Sequence, residues 1–114
     1  MPVFRIETNQ TLSQEQTSAL MEKSTDMLCS VLEKPKTFMM VYVDTGCSMM
    51  FNGTADPFAF VQLRQFAFSE EQASRIIKEI SAFIENELVV KPERQYIQLM
   101  EMKNTFFGWD GKPC

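Results

Sequence analysis

The chain contains no histidine, and that absence removes more chemistry than any single residue supplies. Ser-His-Asp and Cys-His nucleophilic catalysis are excluded, and a zinc site would need an unusual ligand set. Acid–base work is left to carboxylates, lysine, tyrosine, cysteine or the terminal amine. Cysteine is scarce: Cys29, Cys47 and Cys114 are odd in number, widely spaced and without a Cys-x-x-Cys pair. They read as thiols, not as a disulfide framework. There is no Lys/Arg cluster to neutralise a run of phosphates, so no nucleic-acid partner is expected. No apolar run approaches the roughly 20 residues that span a bilayer. Arg5, Glu7 and the polar stretch 10–16 leave no apolar leader segment near the start. The expectation is a soluble, cytoplasmic protein that does not engage membranes, with export left open only by a non-classical route.

What remains is an ordinary globular composition, 45% hydrophobic and 23% charged over 114 residues with a formal charge of −4. That is a single-domain length. Such a chain buries roughly two thirds of its unfolded surface, enough for one modest core.

Local signals divide the chain cleanly. Val3 to Glu7 reads as a strand, and Thr8-Asn9 as a turn. Ser13-Gln14-Glu15-Gln16 is a capping box opening an amphipathic helix, with Leu20, Met27 and Val31 on one face and Leu28 and Leu32 flanking it. Pro35 predicts the end of that helix near Glu33. Phe38 to Val43 is nearly continuously apolar, as a strand covered on both faces would be. Ser48 to Phe51 reads as a short strand, 52–57 as a loop, and Phe58 to Phe66 as a long strand. Ser69-Glu70-Glu71-Gln72 is a second capping box. Its helix carries Ile76, Ile77, Ile80, Phe83, Ile84 and Leu88 on the apolar side. Lys91-Pro92 closes that segment, Gln95 to Met102 is a further strand, and Phe106-Phe107-Gly108-Trp109 is expected to add a short terminal strand before a small polar tail.

The order repeats. Each half runs strand, capped helix, Lys-Pro, strand, over about residues 2–45 and 58–102 of one domain spanning 1–114. Two βαβ units predict an α/β fold, an α+β sandwich with a four-stranded sheet and both helices on one face, plus short strands. The strands 38–43 and 58–66 carry apolar residues at consecutive positions. The far face is therefore expected to be an apolar patch that oligomerisation covers.

The opening Met1-Pro2 adds a chemical possibility. Once Met1 is removed, Pro2 presents a secondary amine at the end of a strand. Burial and a nearby cation would both disfavour its ammonium form and make it a usable base. Many chains begin Met-Pro for processing reasons alone, so the dipeptide does not decide this by itself.

Several motifs spread over the chain carry a resemblance. They are Met1-Pro2-x-Phe4 with Thr8-Asn9, Lys34-Pro35, Met49-x-Phe51-x-Gly53, Asp56-Pro57, Pro92-x-Arg94-x-Tyr96-Ile97 and Gly108-Trp109-x-Gly111. Together they resemble the macrophage migration inhibitory factor (MIF) family of the tautomerase superfamily. The resemblance implies a homotrimer whose three sheets face inward as a barrel, with short strands bridging neighbours. It implies an isomerase site at each subunit interface that tautomerises phenylpyruvate-like or dopachrome-like compounds without a cofactor or metal. Some members are cytokines or cytokine mimics, so a host or immune receptor is an implied partner.

Carried over residue by residue, Pro2 is the catalytic base and Lys34 the ligand of the substrate carboxylate. Lys34 could equally serve as a cation at a helix C-terminus, contributing about 0.3–1 kcal/mol. Tyr96 and Gln98, two apart on a strand and so on one face, would come from the neighbouring subunit. Gln98 stands where the family has a shorter asparagine. Val3, Phe66, Phe107 and Trp109 complete the expected substrate-binding set, with Trp109 near a subunit boundary. Two departures stand out. Gln65-Phe66-Ala67 replaces a Ser-Ile-Gly segment, and loss of the glycine removes backbone freedom where the chain approaches the ligand. Phe107 replaces a smaller aliphatic residue. Phe58-Ala59-Phe60-Val61 stands where some members carry Cys-x-x-Cys, so no thiol–disulfide activity carries over. Met39-Met40 and Met49-Met50 are expected to pack in core and interface. Two functional readings follow: a tautomerase for small aromatic α-keto acids, or a MIF-like signalling or binding protein with a vestigial pocket.

Overall fold

A computed structural model describes every residue from Met1 to Cys114. Strand β1 (Val3–Thr8) leads into helix α1 (Gln14–Leu32) and strand β2 (Met40–Asp44). Strand β3 (Ala59–Gln65), helix α2 (Glu70–Leu88) and strand β4 (Gln95–Glu101) follow, and a hairpin of β5 (Gly108–Trp109) and β6 (Lys112–Pro113) closes the chain. The sheet order is β2-β1-β3-β4, with β1∥β2 and β3∥β4 joined through the antiparallel β1·β3 pair. These are the two βαβ units expected from the sequence.

Both helices begin as their capping boxes predict. Ser13 and Ser69 each accept from the backbone N–H three residues on, and the Gln16 and Gln72 side chains accept from the N-cap N–H in return. Each helix ends in a left-handed residue, Glu33 at φ 54° and Val89 at φ 55°. Left-handed C-caps are common, but usually occupied by glycine.

Period-two alternation sends Phe4, Ile6, Val61 and Leu63 to the helix side, where they are fully buried against Leu28, Ile76, Ile80 and Ile84. Each such side chain contributes about 1.5–3 kcal/mol of burial. The buried stripe of α1 is Leu20, Ser24, Leu28 and Val31. Met27, placed on that face by the sequence, is only half-buried, and Ser24 takes the central position with a hydroxyl that has no partner.

The opposite face corrects the expectation of an apolar patch. The residues that alternate onto it are Met40, Tyr42 and Asp44 on β2, Val3, Arg5 and Glu7 on β1, Phe60, Gln62 and Arg64 on β3, and Tyr96, Gln98 and Met100 on β4. Apolar runs in the sequence turned out to supply only alternate positions here. Along the middle of this face Arg5 reaches Asp44 at 3.0 Å and Glu7 at 3.1 Å, and lies 5.4 Å over the Tyr42 ring. Asp44 is the main cause of the raised pKa of Arg5. Gln62 donates to Gln98 at 3.2 Å.

Two other expectations are revised. Ser48–Phe51 forms no strand, because only Phe51 bridges Thr54 within the chain. The terminal segment is not a polar tail. Asp110 and Gly111, at φ 54° and 76°, turn β5 back onto β6, the geometry of a two-residue hairpin turn.

Candidate active site

Pro2 is buried where β1 begins, between Met1 and Val3. Its carbonyl accepts from the Met40 N–H at 3.0 Å, so the strand end is held by the ladder and not frayed. A cavity of about 480 Å³ opens beside it, lined by Met1, Val3, Phe38, Met39, Met40, Val41, Phe107, Gly108 and Trp109. Eight of those nine residues are hydrophobic. Of the expected residues, Val3, Phe107 and Trp109 therefore meet around one pocket, with Pro2 behind Met1. Phe66 adjoins this group: its ring meets Phe107 edge-on at 6.0 Å between centroids. Trp109 stacks edge-on against Phe38 at 4.7 Å. Such pairs add about 0.5–1.5 kcal/mol beyond area burial.

The cation is close by. Lys34 follows the left-handed cap of α1 and its Nζ donates to the Gln65 side-chain oxygen at 3.3 Å. The chain's terminal amine, on Met1, is held below its ordinary value. Burial is the larger cause and the positive charge of Lys34 the second, while Cys114 opposes them. Cys114 Sγ lies 3.0 Å from Met1 Sδ, so both chain ends meet at the cavity.

The segment Gln65-Phe66-Ala67 is well held despite its missing glycine. Gln65 is buried and donates to the Ala67 carbonyl at 2.8 Å, and the Phe68 N–H donates to Glu101 at 3.1 Å. Neither Phe66 nor Ala67 has positive φ, so this backbone makes no demand for glycine.

Tyr96 and Gln98 are not brought to Pro2 within the chain. Tyr96 lies across from Phe60, which lies across from Glu7. That is five residues along β1 from Pro2, roughly 17 Å at strand rise. Tyr96 instead joins Phe51 and Phe58, with ring centroids at 5.1 and 5.6 Å, beside a second cavity of about 340 Å³. Arg94 secures this end. It donates to the carbonyls of Phe51, Thr54, Asp56 and Pro57 and stands 5.3 and 5.4 Å over the Phe51 and Phe58 rings.

Sequence reasoning missed Phe38, Met39, Met40 and Val41 as cavity walls. The methionine pair, expected to be core and interface packing, lines the pocket. Phe38 is set there by its left-handed backbone, φ 64°, which no local motif announces. Gln65 was missed as the partner of Lys34, because a polar residue inside a strand pattern reads as exposed.

Comparison with known proteins decides the family. The sequence profile described as Macrophage migration inhibitory factor (MIF) matches residues 1–113. The chain belongs to the MIF family. Among curated MIF-family relatives, the homolog of Brugia malayi is 26% identical over 97% of this chain and 96% of its own length. The factor of Rattus norvegicus is 29% identical with the same coverage. A MIF homologue of Prochlorococcus marinus has the same fold, at a TM-score of 0.89 and 20% identity over 97% of both chains. MIF membership places the chain in the tautomerase superfamily and supports isomerase chemistry in general terms.

Proposed function

We propose that this MIF-family chain is a keto–enol tautomerase for phenylpyruvate- or dopachrome-like compounds, with the ring nitrogen of Pro2, freed by loss of Met1, as the base. The observation carrying this reading is a depressed terminal amine at the mouth of an apolar cavity, with Lys34 beside it. Loss of Met1 would move the amine one residue inward to Pro2, and burial there with Lys34 nearby would act in the same direction. The reaction then needs only proton movement. Pro2 takes a proton from the carbon next to the carbonyl of an aromatic α-keto acid and gives it to the carbonyl oxygen, leaving the enol. Lys34 neutralises the substrate carboxylate, and the rings of Phe66, Phe107 and Trp109 with Val3 hold the aromatic end.

Tyr96 and Gln98 take part in this reading only if a second copy supplies them. The two ends of the sheet support that: one bears the Pro2 cavity, the other the Tyr96 cluster, and β2 and β4 are unpaired edges. A homotrimer that sets one end against the other would complete each site.

The test uses processed chains with Pro2 first and chains that keep Met1. Phenylpyruvate tautomerisation by the processed form and none by the unprocessed form is expected. Equal rates would exclude Pro2 as the base. The competing reading, a signalling or binding protein with a vestigial pocket, draws on the altered Gln65-Phe66-Ala67 segment. No rate above background in the processed form would favour it, and a receptor-binding assay would then follow.

A further inference from the structure

Three of the four arginines have partners. Arg5 holds Asp44 and Glu7, Arg75 donates to the Val31 carbonyl, and Arg94 clamps the 51–57 loop. Arg64 has no hydrogen bond, ion pair or aromatic ring, although it is half-buried. Its guanidinium nitrogens are open to solvent and free to bind, and its planar fork fits a carboxylate through two parallel bonds.

Its place in the sheet says where such a carboxylate would lie. Arg64 pairs across from Val3, Val3 pairs across from Met40, and all three side chains are on the open face. Val3 and Met40 are walls of the Pro2 cavity. Directly paired residues of an antiparallel ladder hold their Cβ atoms about 4.5–5.5 Å apart, so Arg64, although not itself a wall of the cavity, stands next to its wall Val3. The next residue, Gln65, faces the helices and receives Lys34. Consecutive residues of β3 thus associate one cation with each face of the sheet, and the Pro2 end of β1 lies beside both.

We propose that Arg64 is a specificity-determining residue that binds a second carboxylate, so that the preferred substrates are aromatic α-keto acids bearing an additional acid group on the ring. The inference rests on the tautomerase reading for its chemistry but not for its binding.

The experiment compares phenylpyruvate with 4-carboxyphenylpyruvate on the processed full-length chain. A KM about tenfold lower for the dicarboxylate is expected, equivalent to about 1.4 kcal/mol for one charge-assisted contact. Arg64→Gln should erase that ratio, and Arg64→Lys should keep part of it. A wild-type ratio near one overturns the proposal. So does an Arg64→Gln variant that raises both KM values equally while changing its sedimentation, since the side chain then pairs with a neighbouring copy. If neither compound turns over, the tautomerase reading fails, and quenching of Trp109, the sole tryptophan and a cavity wall, decides about Arg64. Tighter binding of the dicarboxylate that is lost in Arg64→Gln sustains the proposal, and equal binding of the two compounds overturns it.

Discussion

Lys34 has two separable duties in the proposed site. It offers a charge to the substrate, and it lowers the proton affinity of the amine beside it. An amine with a lowered pKa reaches its neutral, basic form at lower pH. The acid limb of kcat/KM should therefore lie below the ordinary value of a free prolyl amine. Removing a positive charge restabilises the ammonium form, so Lys34→Gln should move that limb to higher pH as well as raise KM about tenfold. A limb that stays put while KM rises would leave Lys34 as a substrate ligand only. At this scale the sequence pointed to Pro2, Lys34 and Trp109 through recognisable motifs, and to Val3 and Phe107 as their neighbours in the chain. Gln65 and Phe38 were hidden. A glutamine's burial depends on where its strand ends, and a positive φ at phenylalanine depends on packing, which neither residue type declares.

Among elements, the loop of residues 51–57 owes its shape to two side chains. Asn9 donates to the Ala55 and Asp56 carbonyls and accepts from the Phe58 N–H, while Arg94 reaches four carbonyls from the other side. Arg94→Ala should cost about 1.5–3 kcal/mol, the scale of hydrogen bonds to a charged group. Hydrogen exchange should quicken in residues 51–57 and leave the fastest-protected amides of β1 last to exchange. Arg94→Lys should recover little, because an ammonium cannot span that set of acceptors. Uniform acceleration across β1 and β3 would show the arginine to be a general support of the fold. The main helices and strands were legible because capping boxes, Lys-Pro stops and apolar periodicity are local signals. Ser48–Phe51 was misread because a strand needs a partner, and this chain supplies none. The sequence pointed to a short strand over 106–109, where β5 lies, but β6 was missed because two residues are too few for any alternation to show.

For the whole molecule, the separation of Pro2 from Tyr96 would, on the proposed mechanism, make activity a property of more than one chain. Copies lacking the base, such as Pro2→Ala, can be mixed with copies carrying Tyr96→Ala after dissociation and reassociation. If sites are shared, roughly a quarter of them should regain both groups by random mixing of subunits. Turnover should then exceed that of either variant alone, and no recovery would confine the site to one subunit. Sedimentation of the parent chain at the mass of three copies is the accompanying expectation. The mixed character of the open face was beyond reach of the sequence, because runs such as 38–43 do not reveal which residues the register turns outward. Met1 remains, in the mouth of the cavity and ahead of the proposed base. Its side chain takes up room that a substrate would use, and its peptide bond ties up the nitrogen that would act. On the proposed mechanism an unprocessed chain is its own inhibitor. The rate of any preparation would then measure the fraction of trimmed N-termini, and an affinity tag fused at that end would yield a folded but silent protein.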